Sequence, residues 1–117
     1  MPTMICTIET LQTVLNELYT KLKQLYGSDL DKVILYGSYA RGDYREYSDI
    51  DVMALVKSSE EQIKELHDDL IDIRSDLGIE YDVVLSVYVK NKEYFDRWKE
   101  HMPYFRNVAT EGVEISA

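Results

Sequence analysis

An α/β fold, of the α+β kind with a small mixed β-sheet flanked by helices, is predicted in the order α-β-α-β-α-β-α. Three observations carry it. Two long stretches repeat apolar residues at helical spacing, two runs from Lys32 to Tyr36 and from Ile50 to Val56 have strand length and composition, and a third apolar run, Tyr81 to Leu85, follows the second helix. Residues 1–117 contain no linker, internal repeat or low-complexity segment and are expected to form a single domain. A chain of this length buries roughly two-thirds of its unfolded surface, enough for one modest core.

From about Ile8 to Tyr26, Leu11, Val14, Leu15, Leu18, Leu22 and Leu25 make the apolar stripe of a helix, with Gly27 as its stop. The first strand then runs into Gly37-Ser38-Tyr39-Ala40-Arg41-Gly42, a small turn able to bring backbone N–H groups close to phosphates. After the second strand, a helix from about Ser59 to Leu77 opens with Ser58 or Ser59 and, three residues on, Glu61 or Gln62 as a capping box. Its stripe is Ile63, Leu66, Leu70, Ile73 and Leu77, Gly78 follows, and the acids of its other face read as a solvated surface. Beyond Val89, Asn91 caps a short helix through Tyr94, Phe95 and Trp98; Pro103, a segment from Tyr104 to Val108 and a tail complete the chain.

The chemistry is concentrated in Ser48-Asp49-Ile50-Asp51. On a strand, alternate side chains share a face, so Asp49 and Asp51 project together while Ile50 and Val52 enter a core. Asp82, the one charge in the third apolar run, is costly there unless a partner or metal offsets its burial. Three such acids at one end of a sheet suit two cations about 3.5–4 Å apart, an arrangement for in-line displacement at phosphorus. For the turn at the exit of strand one to meet the acids at the entrance of strand two, those strands run antiparallel. Strand three, entering at the same end, then runs parallel to strand two, so the sheet is mixed. Gly37 and Gly42 have P-loop spacing, but Asp43-Tyr44 stands where Lys and Ser or Thr are needed, and no dinucleotide, hydrolase-elbow or zinc signature is present.

The run GSYARGDYREYSDIDV resembles the signature of the nucleotidyltransferase superfamily that includes DNA polymerase beta and the kanamycin nucleotidyltransferases. Its minimal form, MNT, is the nearest likeness, as found in antitoxins paired with HEPN-domain toxins. The specific part is Gly-Ser, ten residues, then Asp-x-Asp, and the resemblance extends to Glu111-Gly112-Val113. It implies a nucleotidyltransferase fold in which Gly37 and Ser38 bind a triphosphate. Asp49 and Asp51 would hold two Mg²⁺ ions, with Mn²⁺ as a substitute, and Asp82 would complete the metal site and help activate an acceptor hydroxyl. The reaction implied is transfer of a nucleoside monophosphate, AMP from ATP, to a tyrosine hydroxyl of a HEPN-type toxin.

With 22 acidic and 13 basic residues the net charge is −9, which repels a nucleic-acid backbone but not a metal-bound nucleotide. A lone Cys6, the absence of a signal segment and the absence of an apolar run near 18 residues point to the cytoplasm and away from a membrane. Cys6 reads as inert, and His67 and His101 as surface residues. Arg41 can contact phosphate, joining Gly37 and Ser38 as a nucleotide-binding residue, or pair with Asp43 or Glu46. Tyr36, Tyr39, Tyr44 and Tyr47 surround the motif and suit packing or a partner interface more than stacking on a base. Competing function classes are a non-catalytic antitoxin acting by occlusion, transfer to a small-molecule acceptor, and a glycosyltransferase using Asp-x-Asp. An oligomer is compatible with all of them.

Overall fold

Thr7 opens the first helix, α1 (Ile8–Tyr26): its Oγ1 accepts the Thr10 N–H at 3.1 Å. The helix ends at Gly27, whose positive φ of 59° is one that glycine adopts without a Cβ penalty. This computed structural model describes residues 7–45 and 48–116. Cys6, Glu46 and Tyr47 lie outside them. Strand β1 (Leu30–Tyr36) leads into a single helical turn, α2 (Ser38–Arg41), and β2 (Ile50–Val56) returns antiparallel beside β1.

The second long helical stretch is bent into α3 (Glu60–Glu65) and α4 (His67–Tyr81). Ser59 and Gln62 form the expected capping box, with Ser59 Oγ accepting the Gln62 N–H at 3.2 Å and Gln62 Oε1 accepting the Ser59 N–H at 2.9 Å. At Leu66 the backbone opens to φ −97°, ψ 7°, while its N–H still reaches Gln62 O at 3.3 Å. The bend lets α3 lie on the third strand while α4 lies along both that strand and α1.

Strand β3 (Leu85–Asn91) begins where the sequence reading had its third strand end. Helix α4 runs through Gly78, which serves as room and not as a stop. A Cβ there would sit 3.0 Å from Val83 O, because the chain folds back across it and the Val83 N–H bonds Gly78 O at 3.1 Å. Asp82 takes the left-handed cap position instead (φ 53°), a conformation that Asp tolerates better than most side chains. It therefore stands at a helix C-terminus and not in a strand.

Helices α5 (Lys92–Trp98) and α6 (Pro103–Glu111) follow, α5 capped by Asn91 Oδ1 on the Tyr94 N–H at 3.0 Å. The tail contains a fourth strand, β4 (Val113–Ile115), antiparallel to β1. The sheet order is β3-β2-β1-β4, with β2 and β3 parallel: the mixed sheet is as expected, with one added edge. Among the described residues no helix is long and apolar enough to cross a membrane.

Helices pack on both faces of the sheet. Val33, Leu35, Ile50, Val52, Ala54, Val56, Leu85, Val87 and Val89 face α1 and α4, where Val14, Leu18, Leu22 and Leu77 are wholly buried. On the opposite face, Ile34, Met53 and Leu55 meet Phe95, Phe105 and Val108 from α5 and α6. At the end of the sheet away from the motif, buried Ser58 donates to Asp29 Oδ2 at 2.8 Å, and the Asn91 amide donates to Ser58 O at 2.8 Å, tying the three long strands together. Phe105, 3% exposed, is central to the smaller core, so Phe105→Ala is expected to cost about 3–5 kcal/mol in urea unfolding.

Candidate active site

The β1–β2 register places Tyr36 opposite Asp51. Gly37 follows at φ 76°, and a Cβ there would collide with the Asp51 carboxylate, so the glycine is required both by conformation and by contact. Its carbonyl accepts the Ala40 and Arg41 N–H groups at 3.1 and 3.0 Å, and Gly42, at φ 87°, closes the turn with its N–H on Ser38 O at 2.9 Å. The turn predicted from the sequence is thereby held directly against one of the two aspartates.

Asp49 and Asp51 are brought together as expected, with Ile50 and Val52 buried on the other side. Asp51 is partly buried and Asp49 exposed. Burial pushes the Asp51 carboxyl above the usual carboxylate range, the neighbouring Asp49 charge adds to this, and the Arg41 guanidinium opposes it. Ser86, the β3 neighbour of Asp51, donates its hydroxyl to Asp49 Oδ2 at 3.3 Å. A half-buried carboxylate destabilised by a second one beside it is a donor set that fits a divalent cation.

Asp82 is exposed on its helix cap, and among the described residues no group of three acidic, histidine or cysteine side chains forms a metal site. Arg41 makes two ion pairs, from Nε to Asp43 Oδ2 and from Nη1 to Glu111 Oε2, each at 3.2 Å. The anticipated Asp43 pair is present, and Glu111 reaches it from α6. Exposed pairs of this kind are screened by solvent and hold weakly, so the guanidinium is exchangeable to an incoming anion.

A cleft of about 470 Å³ opens on Asp51, lined also by Tyr36, Tyr88, Lys90 and Tyr104. The Tyr36 and Tyr104 hydroxyls are hydrogen-bonded at 2.5 Å, their rings edge to face at 5.9 Å. Burial first, then that hydrogen bond, drives the Tyr36 phenol far above its ordinary range, so it remains protonated. Ser86, Tyr88, Lys90 and Tyr104 were missed from sequence, although the polar positions of Ser-Val-Tyr-Val-Lys alternate with a strand's period of two. Tyr39, 7% exposed, stacks on Tyr44 at 4.5 Å, which makes that pair packing. His67 and His101 are surface residues, His101 edge-on to Trp98.

Residues 15–113 match the nucleotidyltransferase domain family, a span that includes Gly37, Ser38, Asp49, Asp51 and Asp82. The chain belongs to that family. The nucleotidyltransferase is 36% identical over 101 residues to the candidate protein adenylyltransferase MJ0604 of Methanocaldococcus jannaschii, covering 86% of this chain and 93% of that one. With a second such protein of the same organism, MJ0141, it shares 39% over 79 residues, 68% of this chain and 78% of the other. In fold, the nucleotidyltransferase is similar to a crystal structure of a mutant MntA-HpeT toxin-antitoxin, with TM-score 0.51, 19% identity and coverage of 84% and 68%. A candidate nucleotidyltransferase from Sulfolobus solfataricus gives TM-score 0.49 at 24% identity, with coverage of 92% and 83%.

Two outcomes follow for the nucleotidyltransferase. Gly37→Ala displaces the Asp51 carboxylate, and nucleotidyl transfer measured by pyrophosphate release should fall by about 10²-fold. Asp51→Asn should raise metal-free stability at neutral pH. A raised folded pKa means that the folded state holds the Asp51 proton more tightly than the unfolded one, so ionisation costs stability as pH rises through the folded value. The gain from Asn is therefore present at neutral pH, shrinks as pH falls through the raised folded value and is gone below the ordinary aspartate value, which melting curves across that range would check.

Proposed function

We propose that the protein is a Mg²⁺-dependent protein adenylyltransferase that moves AMP from ATP to a hydroxyl of a partner protein, and that it serves as the antitoxin of a cytoplasmic HEPN-type toxin by modifying a toxin tyrosine. The observation that carries the reading is the contact of Gly37 with the Asp51 carboxylate, which brings a phosphate-sized turn and a carboxylate pair to one point. The protein adenylyltransferase relatives support the AMP and protein parts of the proposal. The toxin partner is taken from the MNT likeness of the motif.

In this reading Asp49 and Asp51 hold the Mg²⁺ ions, with Mn²⁺ able to replace them, and the bound cations supply charge neutralisation at the phosphates. Gly37 and Ser38 present backbone to the triphosphate. Arg41 leaves Asp43 and Glu111 to meet a phosphate oxygen, a planar donor suited to that exchange. Asp51 and Asp49 repel one another without cations, so the nucleotide and metal bind as a unit. The family likeness gives Asp82 the part of third carboxylate; its observed place gives it the part of a cap that directs the chain into β3.

Intact mass spectrometry of a candidate HEPN partner, incubated with the protein, ATP and Mg²⁺, tests the proposal. The partner should gain AMP on tyrosine with wild type and none with Asp51→Asn. Asp82→Gly keeps the left-handed cap and removes the carboxylate: loss of transfer with an unchanged melting temperature assigns Asp82 to the chemistry, and retained transfer assigns it to the cap. Toxin neutralised with no added mass, equally by wild type and Asp51→Asn, would replace modification with occlusion.

A further inference from the structure

We propose that Lys90 is a nucleotide-binding residue of this site, its ammonium taking a phosphate oxygen of the nucleoside triphosphate across the cleft from Asp51. This rests on the nucleotidyl-transfer reading and adds to it a residue that the Gly-Ser and Asp-x-Asp signature does not contain.

The placement comes from strand geometry. Asp51 pairs with Ser86 across parallel β2 and β3, and Ser86, Tyr88 and Lys90 occupy every second position of β3, so they share one face with Asp51. Lys90 Cα stands about 13 Å along the strand from Ser86 at the usual rise per residue. Both Lys90 and Asp51 line the same cleft of about 470 Å³, a volume within the range of small-molecule sites. The long lysine stem can reach back toward the carboxylate pair and leave room between for a phosphate group.

Charge balance makes the placement meaningful. A triphosphate entering a site built on two aspartates, in a chain of net charge −9, needs protein cations as well as metal. Arg41 meets a phosphate only by leaving two carboxylates, whereas no ion pair to Lys90 forms among the described residues, so its ammonium is available without that exchange. Among the described residues Lys90 is also the one cation lining the cleft, and its aromatic neighbours shape where the ligand lies. Tyr36 and Tyr104, fixed to each other through their hydroxyls, wall one part, and Tyr88, 49% exposed, offers its ring beside Lys90. A phosphate placed between Asp51-bound cations and the Lys90 ammonium has positive charge on two sides, the condition that stabilises charge developing at phosphorus.

Calorimetric titration of a non-hydrolysable ATP analogue with Mg²⁺ into wild type, Lys90→Gln and Lys90→Arg tests the assignment. Loss of one charge-assisted hydrogen bond should weaken binding about tenfold or more in Lys90→Gln, with most of the affinity kept in Lys90→Arg and the melting temperature of the free proteins unchanged. Tripolyphosphate with Mg²⁺ should show the same loss. Equal affinity of Lys90→Gln and wild type would overturn the role of Lys90 while leaving nucleotidyl transfer intact. A loss confined to the nucleoside-bearing analogue would overturn the phosphate contact. Wild type that binds no analogue would overturn both the assignment and the reading on which it rests.

Discussion

The antiparallel pairing of β1 and β2 is the constraint on which the site depends. It sets Tyr36 beside Asp51, and the next residue must turn within the space over that carboxylate. Only a residue without a Cβ can do so at φ 76°. The turn and the acid are thus positioned by backbone hydrogen bonds of the sheet, although they stand far apart in sequence. Backbone pairing of this kind holds a constellation more tightly than loop contacts would.

β2 divides its labour by residue parity. Ile50, Val52 and Ala54 anchor it in the core under α1 and α4, while Asp51 opens on the opposite face beyond Met53 and Leu55. That second face is only partly covered: α5 and α6 bury the apolar middle and leave the end near Asp51 as a cleft. The same two helices complete the site's surroundings, since α6 supplies Tyr104 to the cleft wall and Glu111 to Arg41. Burial of Asp51 on this incompletely covered face raises its pKa, a cost that a cation held there would relieve.

Where local signals were redundant, the sequence was legible. α1 runs from Ile8 to Tyr26 and β2 from Ile50 to Val56 as read, because the stripe of α1 stops at a glycine and the apolar run of β2 has the length and composition of a strand. The turn, the Asp49–Asp51 pair and the antiparallel-then-parallel sheet were legible for the same reason: together they allow one geometry. Legibility failed around Gly78 and Asp82. Gly78 looked like a helix stop but provides clearance for the returning chain, and Asp82 looked like a strand acid but supplies the left-handed cap. Both depend on where the chain goes next, which a local pattern does not contain. That misplacement also hid the polar face of β3, with Ser86, Tyr88 and Lys90, because the third strand was read as ending at Leu85, where it begins.

The central claim, that the β1 turn and the β2 aspartates together form a metal-nucleotide site, is most directly tested by a crystal structure with Mn²⁺ and a non-hydrolysable ATP analogue, using anomalous scattering to locate the metal. The account predicts Mn²⁺ at the Asp49 and Asp51 carboxylates with the phosphates against Gly37 and Ser38. Nucleotide bound elsewhere, or metal seated away from the two aspartates, would contradict it.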